Sequence, residues 1–196
     1  MMKIALLIPF AFILGSIPFG IIIAKVMGID LKKIGSGNIG ATNVLRSLGK
    51  GPAALTLLGD ILKGTAAVAI GRYLSVGSAY EGIIGLSAIL GHNFSLFLGF
   101  KGGKGVATSI GVLLIYSPQV AILTLIIWLM VVLMTRYSSL GAIVAFGLLP
   151  VNVFLVDYSE MKLIISALIT LLILLRHIGN TERLIRGTER KIGERS

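Results

Sequence analysis

The chain has 196 residues, 56% of them hydrophobic and 13% charged, with a mean hydropathy of +0.98, a balance too apolar for a water-soluble domain of this size. Lys and Arg number 18 against 8 Asp and Glu, and the formal charge of +10 suits an anionic membrane surface or an anionic substrate. Cysteine is absent, which excludes disulfides, thiolate nucleophiles and thiolate metal sites and leaves hydroxyls, His, amines, carboxylates and backbone dipoles for any chemistry.

Crossing a hydrocarbon core of ~30 Å takes about 20 apolar residues, fewer where a helix is kinked or packed inside protein. Seven stretches qualify: 4–24, 52–72, 80–99, 105–117, 118–134, 139–156 and 161–176. The first contains Pro9, Gly15, Pro18 and Gly20 and lacks a small-x-small cleavage site before Lys25, so it reads as a retained helix. The fourth is short enough to be re-entrant, and a miscount there and in the fifth would leave five spans. No linker, low-complexity tract or internal repeat is legible, so residues 1–196 read as one all-α polytopic membrane domain.

Basic residues near span ends are retained in the cytoplasm. With the N-terminus outside and the C-terminus inside, Lys25, Lys32, Lys33, Arg46, Lys50, Lys101, Lys104, Arg136, Arg176, Arg183, Arg186, Arg190, Lys191 and Arg195 fall inside. Only Lys3, Arg72 and Lys162 remain outside. The same orientation gathers three glycine-rich polar segments at one face.

The first, Gly35 to Lys50, holds Ser36, Asn38, Thr42, Asn43 and Arg46 among glycines that allow close backbone approach. It suits wrapping an anion, or simply a turn leading into an interfacial helix. The second, Gly91 to Thr108, includes His92 and the run Lys101-Gly102-Gly103-Lys104-Gly105 at a helix start, where free N–H groups, the helix dipole and ammonium charges surround one point. It is not a nucleotide-binding Gly-x-x-x-x-Gly-Lys-Ser/Thr loop, because Gly105 follows Lys104. The third leaves the last span: continued as a helix, His177 and Asn180 share a face, with Arg176 and Arg183 beside them. A basic tail lying on anionic lipid has the same composition. Two histidines with no accompanying carboxylate cluster argue against a metal site. Within the second span, Asp60 and Lys63 stand one helical turn apart, a spacing that suits a structural ion pair in lipid.

At these segments the sequence resembles the bacterial acyl-phosphate:glycerol-3-phosphate acyltransferase family of small membrane enzymes. The matching strings are Ser36 to Asn43 with Arg46; Gly91-His92 with Phe100 to Thr108; and Arg176-His177 with Asn180, Arg183, Leu184, Gly187 and Glu189. Asp60-Ile-Leu-Lys63-Gly64 looks like the family's second helix, whereas Ser95 stands where many relatives carry Pro. The resemblance implies a seven-helix enzyme of the bacterial inner membrane, with its site facing the cytoplasm. It would transfer a fatty acyl group from acyl phosphate to the 1-hydroxyl of glycerol 3-phosphate, giving lysophosphatidic acid and phosphate, in the first committed step of phospholipid synthesis. It implies no cofactor and no nucleic acid, and functional coupling to the enzyme that makes acyl phosphate.

On that reading Ser36, Lys104, His177 and Asn180 are catalytic. Asn38, Thr42, Asn43, Arg46, His92, Lys101, Gly102, Gly103, Gly105, Thr108, Arg183 and Glu189 bind substrate. The proton has three candidate acceptors: His177, His92 or an oxygen of the acyl phosphate. An anion transporter would instead concentrate polar residues at the membrane midplane, where only Asp60 and Lys63 are found. A non-catalytic subunit binding anionic lipid would tolerate substitution of its basic groups one at a time.

Overall fold

The computed structural model describes residues 2–194, all of whose regular elements are helical; Arg195, counted above among the inside residues, lies outside the described residues. Eleven α-helices follow one another: α1 Met2–Ser16, α2 Phe19–Val26, α3 Ala41–Leu48, α4 Lys50–Tyr73, α5 Ser78–Asn93, α6 Val106–Tyr116, α7 Pro118–Thr135, α8 Ser138–Gly147, α9 Leu149–Val156, α10 Glu160–Arg176 and α11 Ile178–Ile185.

Each of the seven apolar stretches contains helix, but several are broken where the covalent chemistry requires it. Pro18, which has no N–H to donate, separates α1 from α2. Pro150 likewise has no hydrogen for the carbonyl of Phe146, and α8 and α9 meet there at 44°. Thr170 Oγ1 on α10 donates to that freed carbonyl at 2.7 Å, so the kink leaves no orphaned acceptor in an apolar environment. Pro118 opens α7, where a missing N–H costs nothing. The third stretch is helical only to Asn93; residues 94–105 form a loop with a single 3-10 turn, Leu96–Leu98.

Four helical segments are long and apolar enough to cross a membrane: Met2–Val26, Lys50–Tyr73, Ser78–Leu98 and Pro118–Thr135. The bent pairs α8–α9 and α10–α11 pass the same test when each is taken together. The 11 residues of α6 rise only about 17 Å, roughly half a hydrocarbon core.

This short helix is nevertheless central. A side chain at Gly64 on α4 would strike the carbonyl oxygen of Thr108, and one at Gly111 on α6 would strike that of Ile61. The two backbones therefore touch, as small residues permit between membrane helices. Around this seam Val68, Ile89, Val112, Leu113, Phe146, Leu149, Ile169 and Ile173 form the main buried cluster. By contrast, α7 buries only Val120, Ala121 and Thr124 and presents Ile122, Leu125, Ile126, Leu129 and Leu133 outward, the pattern of a lipid-facing helix.

Apart from Asp60 and Lys63, buried within α4, the charged groups segregate to the two ends of the bundle. One end holds the Lys25–Lys50 connection, the 94–105 loop, the Arg136–Tyr137 turn and the chain beyond Arg176. The other holds Arg72 paired with Glu81 at 2.8 Å, and Lys162 paired with Asp157 at 2.6 Å.

Candidate active site

At the first end lies a cavity of about 900 Å³ that continues from a polar chamber into an apolar groove. The N-terminal turns of three helices open on the chamber: α3 through Ala41 and Thr42, α6 through Gly105, Val106 and Ala107, and α8 through Ser138 and Ser139. Each brings N–H groups without intrahelical partners and the positive end of a helix dipole. Gly105, with φ +84°, turns the chain into α6 while its Cα lies close to Asn93 Oδ1, a conformation and a gap that no larger residue fits. Arg46, Lys104, Arg183 and Arg190 line the cavity against two carboxylates, Asp60 and Glu189. Lys63 Nζ sits 2.8 Å from Asp60, so the balance of the chamber is cationic.

Hydrogen bonding fixes the chamber's inner wall. Lys104 Nζ donates to Asn180 Oδ1 at 2.5 Å, and Asn180 Nδ2 donates to Glu189 Oε1 at 2.6 Å. An ammonium can only donate and a carboxylate only accept, so the amide between them has one possible orientation. Glu189 also accepts from Ser139 Oγ at 2.8 Å and from Arg183 Nε at 2.8 Å. Burial pushes the Glu189 carboxyl up, but the bonds from Ser139, Arg183 and Asn180 outweigh that and hold it below the ordinary carboxylate range. Burial likewise lowers the Lys104 ammonium to about 8; Glu189 opposes the shift, and Arg183, Arg176 and Arg46 add to it.

His177 lies in the link between α10 and α11, which meet at 56°. Its Nδ1 is 2.7 Å from the carbonyl of Ile173, which can only accept, so Nδ1 carries the hydrogen and Nε2 keeps its lone pair. Burial first, and then the Lys104 charge, lower this imidazole to about 4, so at neutral pH it is uncharged.

The first glycine-rich segment is organised by Asn43. Its Oδ1 accepts from Ser36 N at 2.9 Å, and its Nδ2 donates to the carbonyls of Ile34 at 3.2 Å and Asn38 at 2.9 Å. Asn38 Oδ1 in turn accepts from Gly40 N at 3.0 Å, an Asx turn feeding α3. Both asparagines line the cavity together with Ser36, Thr42 and Arg46, and Thr42 Oγ1 lies 3.2 Å from Ser138 Oγ. Arg46 Nη2 donates to the carbonyls of Arg190 at 2.7 Å and Lys191 at 3.3 Å, tying the C-terminal segment across the chamber.

Of the residues singled out from sequence, Ser36, Asn38, Thr42, Asn43, Arg46, His92, Lys104, Gly105, His177, Asn180, Arg183 and Glu189 line this one cavity. Lys101, Gly102, Gly103 and Thr108 do not. Lys101 is exposed on the loop; Gly102 and Gly103 pack against the end of α5; Thr108 is buried where α4 meets α6. Arg176, expected beside the anion, instead donates to the carbonyls of Gly102 and Gly103 at 3.0 Å each and lies 5.6 Å from the Phe94 ring. Sequence reasoning passed over Ser138 and Ser139, whose position as an N-terminal Ser pair before an apolar run was the available signal. Asp60, for which the sequence favours pairing with Lys63 over a functional role, also faces the cavity. No group of three or more His, Asp or Glu side chains able to hold a metal occurs among the described residues.

Beyond the chamber, Leu57 and Ile61 of α4, Ile110 and Leu114 of α6, Leu125 and Trp128 of α7, and Phe146 of α8 line the groove. Leu57, Leu114 and Leu125 in its wall are all partly exposed.

The family described as Glycerol-3-phosphate acyltransferase matches residues 5–187. The chain belongs to the glycerol-3-phosphate acyltransferase family. A glycerol-3-phosphate acyltransferase of Sinorhizobium fredii is 48% identical over 191 residues, covering 97% of this chain and 93% of the relative. One from a strain of Thermus thermophilus is 45% identical over 186 residues, with coverage of 95% and 94%. Among solved structures, PlsY, described as an integral membrane glycerol 3-phosphate acyltransferase, is similar in its glycerol 3-phosphate form with a TM-score of 0.93, 42% identity and coverage of 97% and 96%. Its lysophosphatidic acid form has a TM-score of 0.91 at 41% identity, with coverage of 98% and 96%. Like these family members, the protein is an integral membrane protein with several apolar helices.

Proposed function

We propose that this protein transfers a fatty acyl group from acyl phosphate to the 1-hydroxyl of glycerol 3-phosphate, at the cytoplasmic face of a bacterial inner membrane, and so begins phospholipid synthesis. The observation that carries the reading is the continuity of a cationic chamber with an apolar groove. Both substrates are phosphorylated, and one of them also has a long alkyl chain. The relatives are acyltransferases of glycerol 3-phosphate by name, which supports the acceptor. The acyl-phosphate donor rests on the chemistry of the chamber and on the sequence resemblance.

An acyl phosphate is already an activated mixed anhydride, so the site has mainly to align a hydroxyl with the carbonyl and stabilise negative charge. The acceptor hydroxyl oxygen bonds to the carbonyl carbon, the carbon to phosphate-oxygen bond breaks, and inorganic phosphate leaves. Lys104, Arg46 and the first-turn N–H groups of α3, α6 and α8 surround the two phosphates; Ser36, Thr42 and Asn180 supply uncharged polar contacts. His177 Nε2, free to accept, can orient the hydroxyl. With a pKa of about 4 it is a weak proton sink, whereas even a phosphate monoester takes up a proton on its dianion near pH ~6, and the oxygen of a departing inorganic phosphate is more basic still. The leaving phosphate is therefore the better final acceptor of the proton, and His177 acts chiefly by alignment.

The test uses purified protein in detergent or lipid with radiolabelled glycerol 3-phosphate and, separately, acyl phosphate or acyl-coenzyme A. Lysophosphatidic acid should form with acyl phosphate alone. Comparable turnover from acyl-coenzyme A, with acyl phosphate rigorously absent, would overturn the donor assignment.

A further inference from the structure

We infer that His92, backed by the Asp60–Lys63 pair, is a positioning residue that fixes the Gly102–Gly103 turn and thereby sets where the Lys104 ammonium stands in the chamber. What Lys104 holds there rests on the proposed function; the positioning itself rests on geometry.

The turn is gripped from two sides. On one, the N–H groups of Gly102 and Gly103 donate to the carbonyls of Asn93 at 3.2 Å and His92 at 2.9 Å, at the end of α5. On the other, Arg176 takes both glycine carbonyls. Both peptide groups are thus saturated, and Lys104, the next residue, can leave the turn in few directions. The His92 ring stands directly behind it: a Cβ on Gly103 would strike Nε2. The ring thus fills the space against Gly103 as a wedge, and its tilt sets how closely the turn approaches α5.

Asp60 controls that tilt. Its carboxylate is the acidic group facing His92 Nδ1, with Oδ1 at 3.5 Å, long for a hydrogen bond, and Nδ1 has no other partner among the described residues, so the carboxylate acts on the dipole of the ring and not through a formed bond. The carboxylate cannot swing away, because Lys63 Nζ holds it at 2.8 Å. Lys63 is itself anchored 2.8 Å from the carbonyl of Ile17, at the break between α1 and α2, and lies 5.9 Å from the Phe19 ring centroid. Two charges with side-chain exposures of 1% and 4% are a costly way merely to join helices, since apolar residues of similar volume usually do so at least as well. Their contact with the wedge behind Lys104 gives them a purpose that packing does not.

The experiment compares full-length wild type, His92→Gln, and Asp60→Asn combined with Lys63→Met, which removes both charges together and avoids a lone buried ammonium. Amide hydrogen exchange of residues 100–105 and kinetics with glycerol 3-phosphate are measured on each, alone and in a Lys104→Ala background. Exchange of this loop should accelerate about tenfold or more in both variants, and KM for glycerol 3-phosphate should rise by roughly tenfold to a hundredfold, as expected when a binding group is misplaced by about 1 Å. In the Lys104→Ala background the same changes should add less than about twofold, because their route is through Lys104. Unchanged loop exchange, full additivity with Lys104→Ala, or loss of fold in both variants would each overturn the inference. A His92→Gln enzyme that loses the acid limb of its pH profile while the loop stays protected would make His92 a proton acceptor instead, and would overturn it too. If the wild-type protein transfers no acyl group, the function falls, while loop exchange still decides the positioning.

Discussion

Lys104 offers the most demanding check on the chamber. Its ammonium is largely buried, bonded to Asn180, and placed beside the first turn of α6. On the proposed function, replacing it with Ala removes one charge from the chamber that would take a phosphate dianion. At about 4 Å and an effective dielectric constant near 20, a unit ion pair amounts to roughly 4 kcal/mol, inside the range of about 2–5 kcal/mol typical for truncating one partner of a desolvated pair. That corresponds to a loss of roughly 30-fold to several thousandfold in kcat/KM. Lys162→Ala is the internal control: its partner Asp157 lies at the opposite end of the bundle, and the change should leave kcat/KM within about twofold. The pH dependence follows from the same residue. A lysine lowered to about 8 is charged below that pH and neutral above it, so kcat/KM should hold through neutrality and fall as pH rises past about 8. Lys104→Arg should remove that fall, whatever its absolute rate, because a guanidinium stays protonated. Steady-state kinetics across pH, with folding monitored by thermal unfolding, provide the measurement. Equal activity of Lys104→Ala and Lys162→Ala would refute the assignment and make the glycine-lysine loop a topological anchor.

Further outcomes are expected. In this cysteine-free chain, Lys50→Cys and Thr188→Cys should react with an impermeant thiol reagent only from the cytoplasmic side, and Tyr73→Cys only from the periplasmic side; the reverse pattern would invert the topology. Gly111→Ala should destabilise the protein by about 1–3 kcal/mol, read as a lowered Tm, because the new methyl meets the carbonyl oxygen of Ile61 on the neighbouring helix. Its KM for glycerol 3-phosphate should stay near the wild-type value, since Gly111 does not line the cavity.

Much of the architecture was legible because transfer into lipid is a property of each segment taken alone. Seven apolar stretches became helix-containing segments with their ends near the expected residues, and the glycine-lysine run was recognisable as a helix start from its composition. The breaks were only partly legible: Pro118 marks an end that the sequence reading placed, whereas 4–24 reads as a single helix and is divided at Pro18. The 44° bend at Pro150 was not read, because an apolar stretch of 18 residues looks continuous until the carbonyl of Phe146 finds Thr170 on another helix.

The candidate site divides along the same line. Residue types and spacing singled out Ser36, Arg46, Lys104, His177 and Asn180, since a phosphate calls for cations, small hydroxyls and free N–H groups close together. The straight helical continuation expected through His177 does not exist: α10 ends at Arg176, and the 56° bend, with Asn180 locked between Lys104 and Glu189, brings His177 and Asn180 to the same wall. Ser138, Ser139 and Asp60 joined the cavity only through packing, because a short polar pair or one carboxylate has no periodic signature. Sequence by itself determined the solvent of this protein, its helical class and the residue types available for binding phosphate, each a local consequence of hydropathy, charge and backbone freedom. Tertiary structure alone decided which of those residues share one chamber, because α4 and α6 touch backbone to backbone at Gly64 and Gly111. Close approach of that kind depends on both partners at once and is written in neither segment.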